Sequence, residues 1–214
     1  MISLLLLSSV FAGSTETDLL NLNNLKKDAT DRTAEINRSY YSILDFHDES
    51  EFEFAIRGLI AAPEVLELKD SNGRIVWSQR AYGFVDELEK IPDTANPSLW
   101  RHIVLIHSYG LFEACEGIYQ VRRYDLTNLT LIETESGGWI IFDPLISLEC
   151  TQAPMKLVED NLGKRPLMAI VMSHPYVDHF GGIKGIIQEA QVADRSLSIE
   201  EQISSGKIFI IVPE

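Results

Sequence analysis

An apolar run, Leu167 to Met172, ends abruptly on Ser173-His174-Pro175-Tyr176-Val177-Asp178-His179-Phe180-Gly181-Gly182. A run that short and that apolar reads as a buried strand. Strands apolar throughout suit a parallel sheet covered on both faces, so the run points to an α/β architecture. The residues after it then fall at the carboxyl end of a strand, the edge of an open α/β sheet where ligands sit. Two imidazoles and a carboxylate are placed there together. His and Asp supply the nitrogen and oxygen donors taken by a borderline cation such as zinc. On extended backbone, positions i and i+2 face one side, so His174 shares a face with Tyr176. The turn that follows brings Asp178 and His179 round, and Gly181-Gly182 allow close approach of backbone. Donors at these spacings can build a two-metal cluster, which lowers the pKa of a bound water to about 7. The alternative is local: the histidines cap structure, and Asp178 is a carboxylate at a helix N-terminus.

The rest of the chain repeats the strand–helix texture. Ile118–Val121, Leu129–Ile132, Trp139–Phe142 and Ile208–Val212 read as strands. Gly137-Gly138 marks a turn, and Asp143-Pro144 closes the Trp139–Phe142 strand, because Pro cannot continue a ladder. Glu149 to Leu162 reads as a helix stopped by Gly163, and Gly181 to Ala190 as another. Upstream, Glu64 to Trp77 reads as a hairpin about Asp70-Ser71-Asn72-Gly73, and Ser98 to Leu111 as a helix. Residues 14–57 are polar, with loosely helical spacing at Leu19, Leu22, Leu25, Ile36, Tyr40, Ile43 and Leu44. An apolar strand this near the last residue predicts that further elements follow.

A formal net charge of −14 argues against a nucleic-acid partner, since phosphate binding needs clustered Lys and Arg. Gly-rich phosphate loops and Gly-x-Ser-x-Gly elbows are absent from the sequence. Cys115 and Cys150 lie far apart and read as two free or buried thiols. Residues 1–13 are apolar with small residues at their end, a signal-like segment too short to span a bilayer and lacking a Lys or Arg ahead of it. It leaves secretion to the periplasm or medium open beside a cytoplasmic location. Asn37 and Asn128 lie in Asn-x-Ser/Thr sequons.

Read as motifs, several blocks fall in one order. They are Asn96-Pro97-Ser98-Leu99-Trp100-Arg101, Gly110-Leu111-Phe112, Gly117-Ile118-Tyr119-Gln120-Val121-Arg122 and Tyr124-Asp125-Leu126-Thr127-Asn128-Leu129-Thr130. Gly138-Trp139-Ile140-Ile141-Phe142-Asp143-Pro144-Leu145 and Asp178-His179-Phe180-Gly181-Gly182 follow. From about Phe52 to Glu214 this series resembles the type III (linear) alkyl sulfatases of the metallo-β-lactamase superfamily, whose metal motif is His-x-His-x-Asp-His.

The resemblance implies an α/β fold, the first half of an αββα sandwich over residues 112–214. A helical and hairpin extension over 14–111 would precede it. It implies two zinc ions, with His174 a ligand of one and Asp178 and His179 ligands of the other, Asp178 being also the catalytic carboxylate. The implied reaction hydrolyses an alkyl sulfate ester to alcohol and sulfate. Members of that family continue further, with two more acidic ligands, another His, a homodimerisation domain and a sterol-carrier-like domain. None of these lies in this sequence, and Tyr176 stands where the family has its second His. A phenol with a pKa near 10 is a much poorer donor at neutral pH than imidazole. A non-catalytic remnant of such an enzyme is therefore a second reading, and another hydrolase of the superfamily a third. Asp143 is a candidate orienter of a metal-bound His or a strand-end cap. Tyr124 and Asn128 read as core or turn residues ahead of pocket-lining ones, Arg122-Arg123 as a solvated pair ahead of a sulfate-attracting one, and His102 and His107 as structural or exposed.

Overall fold

In the computed structural model, which describes residues 27–87 and 90–213, the sheet is built as the apolar runs require. The signal-like segment and the Leu19, Leu22 and Leu25 stripe lie outside the described residues. Two compact units divide the chain: Met1–Asp45 with Ile91–Leu99, and Phe46–Lys90 with Trp100–Glu214.

In the smaller unit, α1 (Asp31–Ser39) is capped by the Thr30 side chain, which accepts the Thr33 amide at 3.2 Å. Asn37 of the first sequon donates its side-chain amide to the Asp93 carbonyl at 2.8 Å.

In the larger unit, α2 (Ser50–Ile56) precedes β1 (Leu59–Ala61), and β2 (Glu67–Lys69) and β3 (Ile75–Ser78) form the expected hairpin. Its turn is tied by Asp70, whose Oδ1 accepts the Asn72 and Arg74 amides at 2.8 and 2.9 Å. Two short helices follow, α3 (Phe84–Glu87) and α4 (Pro97–Ile106), the latter belonging to this unit from Trp100 on. The helix expected to run to Leu111 stops earlier. Gly110, at φ +129°, opens a strand instead, and its missing Cβ lets Ala61 at the end of β1 and Ala62 after it approach.

The strands β4 (Gly110–Cys115), β5 (Ile118–Arg122), β6 (Leu129–Glu133), β7 (Trp139–Phe142), β8 (Leu167–Val171) and β9 (Phe209–Ile211) join β1 in a seven-stranded sheet ordered β1-β4-β5-β6-β7-β8-β9. The sheet thus takes a strand from the segment ahead of residue 112. Pairing is antiparallel from β1 to β7 and parallel from β7 to β9. The first parallel connection needs a crossover, and α5 (Leu148–Leu162) provides it. Ser147 caps α5 by accepting the Cys150 amide at 3.2 Å, and Gly163 ends it. Cys150, Thr151, Pro154 and Val158 bury one stripe of α5, and Cys150 and Val158 join Leu111, Val121, Leu129, Leu131, Trp139, Ile141 and Ile170 in the core. Among the described residues, no helix is long and apolar enough to cross a membrane.

The strand after α5 was expected to be buried throughout, yet Met168 is 42% exposed and Leu167 and Val171 are half-buried. The helix expected over Gly181–Ala190 is likewise absent. Three 3₁₀ turns stand around and in its place, Val177–His179, Ile183–Gly185 and Glu189–Gln191. The reason is steric. A Cβ on Gly181 would strike the Ile146 carbonyl, and one on Gly182 would strike Thr151 Oγ1 and the Pro144 and Ser147 carbonyls. The segment follows the loop after β7 rather than a ladder of its own.

Candidate active site

Phe142 on β7 lies opposite Val171 on β8, so two parallel strands end side by side. The next residue of β7, Asp143, turns into the left-handed region at φ 56°. Its amide donates to the Val171 carbonyl at 3.0 Å. Its carboxylate faces the segment after β8. Oδ1 accepts the Ser173 amide at 2.8 Å, and Oδ2 accepts the Ser173 hydroxyl at 2.7 Å. Oδ2 also lies 2.8 Å from His179 Nδ1. Burial works to raise the Asp143 carboxyl, but the bonds from the Ser173 amide, His179 and the Ser173 hydroxyl outweigh it and hold the group below the usual carboxylate range. Asp143 is the orienter of a histidine, and it also closes its strand.

His174, Asp178 and His179 come together. The His174 and His179 rings are 3.8 Å apart between centroids and tilted by 51°. Ser173 Oγ lies 3.1 Å from His174 Nδ1 and 3.3 Å from His179 Nδ1. His179 Nε2 stands 3.5 Å from Asp178 Oδ2. Tyr176 packs edge-on against His174, with centroids 4.8 Å apart, and is 67% exposed.

A tetrahedral zinc bound at roughly 2.0–2.1 Å would space a nitrogen and an oxygen donor about 3.3 Å apart. The Asp178 Oδ2–His179 Nε2 pair has that spacing. With Nδ1 engaged by Asp143, Nε2 is the nitrogen left for a ligand, the arrangement in which a carboxylate fixes the tautomer of a metal-bound His. The pair fits zinc as half a coordination shell. Among the described residues no group of three or more His, Cys, Asp or Glu side chains is arranged to hold a metal.

Asp125, in the connection between β5 and β6, is 1% exposed. Its Oδ1 accepts the Thr127 amide at 2.7 Å, and its Oδ2 the Ile146 amide at 2.6 Å. Burial pushes the Asp125 carboxyl up, against the pull of those amides, and the charge of Asp178 adds to the rise. The Thr127 hydroxyl donates to the Asp178 carbonyl at 2.9 Å.

Other candidates settle elsewhere. Tyr124 is a core residue, and Asn128 is exposed. Arg122 and Arg123 are not the solvated pair expected. Their guanidinium carbons lie 4.2 Å from the Phe112 ring centroid and 4.8 Å from that of Tyr82, and burial lowers both pKa values. Apolar and aromatic surface on flanking elements, invisible in a local charge pattern, covers the stems. His102 is exposed, and His107 Nε2 lies 3.1 Å from Asp86 Oδ2. Ser173, Asp125 and Thr127 were not singled out from the sequence. The Asp-x-Thr spacing of an Asx-turn was the available signal for the last two.

Residues 122–209 match the family model of the metallo-β-lactamase superfamily. Over 187 residues, 87% of this chain, the sequence is 44% identical to a linear primary-alkylsulfatase from a Pseudomonas species. Over this stretch the chain is similar to alkylsulfatases. It is also 40% identical over 209 residues to an (R)-specific secondary-alkylsulfatase from Pseudomonas. The fold superposes on the stereoselective inverting sec-alkylsulfatase Pisa1 from Pseudomonas with a TM-score of 0.71 at 38% identity, covering 86% of this chain and 27% of that one. The chain spans about a quarter of the length of these alkylsulfatases, 26% of the primary enzyme and 29% of the secondary one.

Proposed function

We propose that this chain carries part of the zinc-binding site of an alkyl sulfate hydrolase. The observation that carries the proposal is the Asp178 Oδ2–His179 Nε2 pair, at ligand spacing, with Asp143 behind the histidine. Asp178 and His179 would hold one zinc ion, and His174 would offer a nitrogen to a second. Zinc, when bound, supplies a Lewis acid and a water acidified to a pKa of about 7. Asp143 keeps the His179 proton on Nδ1, and Ser173 fills the remaining capacity of that carboxylate. Completing either shell needs donors beyond the described residues. The substrate would be an alkyl sulfate ester, with water cleaving it to an alcohol, sulfate and a proton.

A second reading, a metal-binding remnant without turnover, is favoured by one feature. Tyr176 offers an exposed phenol beside His174 where a donor imidazole would be needed.

Zinc stoichiometry and sulfate release from dodecyl sulfate, measured on the purified 214-residue chain, separate the two. Zinc binding that is lost in His179→Ala, with sulfate released, supports the hydrolase. Zinc binding with no sulfate above a metal-free control supports the remnant. A chain that takes up no zinc contradicts both.

A further inference from the structure

We infer that Thr127, held by the buried carboxylate of Asp125, is a positioning residue that fixes Asp178 at ligand distance from His179. The inference rests on the zinc reading above and adds the element that aims one of its donors.

The turn bearing Asp178 is a single 3₁₀ turn, Val177–His179, closed by the His179 amide on the Tyr176 carbonyl at 2.9 Å and the Gly181 amide on the Val177 carbonyl at 2.7 Å. One short turn has little stability of its own, so its place must be set from outside. Asp143 sets the His179 ring, and the Gly182 amide, donating to the Leu145 carbonyl at 2.9 Å, sets the exit. The backbone of Asp178 itself is met by the Thr127 hydroxyl, 51 residues away in sequence.

Asp125 makes that hydroxyl a fixed point. Its Oδ1 takes the Thr127 amide, which any Asx-turn would do. Its Oδ2 takes the Ile146 amide, which no local turn explains. One carboxylate therefore ties the β5–β6 connection to the β7–α5 loop, and Thr127 carries the tie on to the Asp178 turn. Burying a carboxylate is costly. Here the cost is offset by two backbone amides that would otherwise lack partners, and the product is a tie from two loops to the Asp178 turn.

Thr127→Val keeps the shape of the side chain and removes the hydroxyl, and Thr127→Ser restores it. Amide hydrogen exchange on the full chain reads the anchor without metal. The His179 and Gly181 amides should exchange on the order of tenfold faster in the Val variant, with Ile141 and Ile170 unchanged and the Ser variant normal. Competition with a chromophoric chelator reads the consequence. Zinc affinity should fall about 10- to 100-fold in Thr127→Val, the usual effect of removing an outer partner of a ligand, and recover in Thr127→Ser. Unchanged exchange at His179 and Gly181 overturns the inference. So does faster exchange with unaltered zinc affinity, which would make Thr127 a loop anchor only. An unmutated chain that takes up no zinc overturns the metal reading itself, and the positioning role with it.

Discussion

Asp143 Oδ2 lies 2.8 Å from His179 Nδ1, across the mouth between two parallel strands. The bond decides which nitrogen of His179 is free, and it joins two loops far apart in sequence. Asp143→Asn keeps a residue that tolerates the left-handed backbone at φ 56° but loses the charge that holds the ring. Zinc affinity should fall about 10- to 100-fold with the fold retained. Asp143→Ala should lose the same affinity and about 1 kcal/mol more stability, since alanine gains nothing locally from a positive φ. Chelator competition and urea unfolding check the pair.

Gly182 is required by packing, since its φ of −86° suits any residue. Gly182→Ala would drive a methyl group into Thr151 Oγ1 and the Pro144 and Ser147 carbonyls, all backbone or buried. A loss of about 1–3 kcal/mol is expected from overpacking. Gly137 at φ 79° has no atom near its missing Cβ, so Gly137→Ala should lose only about 1 kcal/mol through its backbone. Urea midpoints of the two variants should differ in that order.

The two thiols should behave as different chemical species. Cys115 is exposed and Cys150 buried, and burial pushes the Cys150 thiol up to about 11. Iodoacetamide at pH 8 should label Cys115 alone until the chain unfolds. Burial likewise pushes Tyr124 up to about 12. In both cases the unfolded chain ionises first. Between the ordinary values, 9.0 and 10.0, and these raised ones, the folded state holds more protons, so stability should fall as pH rises. Thermal melts from pH 8 to pH 11 should show a declining midpoint, less steep in Cys150→Ala.

Tyr176 stands beside His174 with its ring mostly in solvent. Tyr176→His would place a second imidazole there. Zinc bound per chain, or its affinity, should rise over the unmutated protein, as measured by equilibrium dialysis with metal analysis. No change would mean that position 176 does not reach a metal.

The sequence was most legible where one physical signal acted alone. Trp139–Phe142 and Leu167–Val171 were found as strands because apolar runs bounded by Gly and Pro have few other uses. The Asp70–Arg74 turn was legible from its Asn-Gly pair. The meeting of His174, Asp178 and His179 was also legible, since they follow one strand end. Legibility failed where tertiary contact overrode local pattern. Gly181 to Ala190 has helical spacing, but the glycines pack on the Pro144–Leu148 backbone and break the helix into turns. Gly110 and Leu111 fall inside the expected helix yet open β4, where Leu111 pairs with Ala61 of β1, a strand too short to announce itself. Asp125 was hidden because its partner Ile146 lies 21 residues on, and only the folded chain brings that amide to it.

At the far side of the sheet, β9 is the last strand after β8, Val192 bridges only Ile208 at its entry among the described residues, and Ile211 at its end and Val212 after it are 51% and 57% exposed. An uncovered strand margin carrying aliphatic side chains is sticky toward copies of itself. Mutual repulsion of molecules bearing a formal charge of −14 opposes such pairing. Colloidal behaviour should therefore invert the usual practice: dilute buffer near neutrality keeps the chain dispersed, while added salt or acidification toward pH 4.7 brings it down.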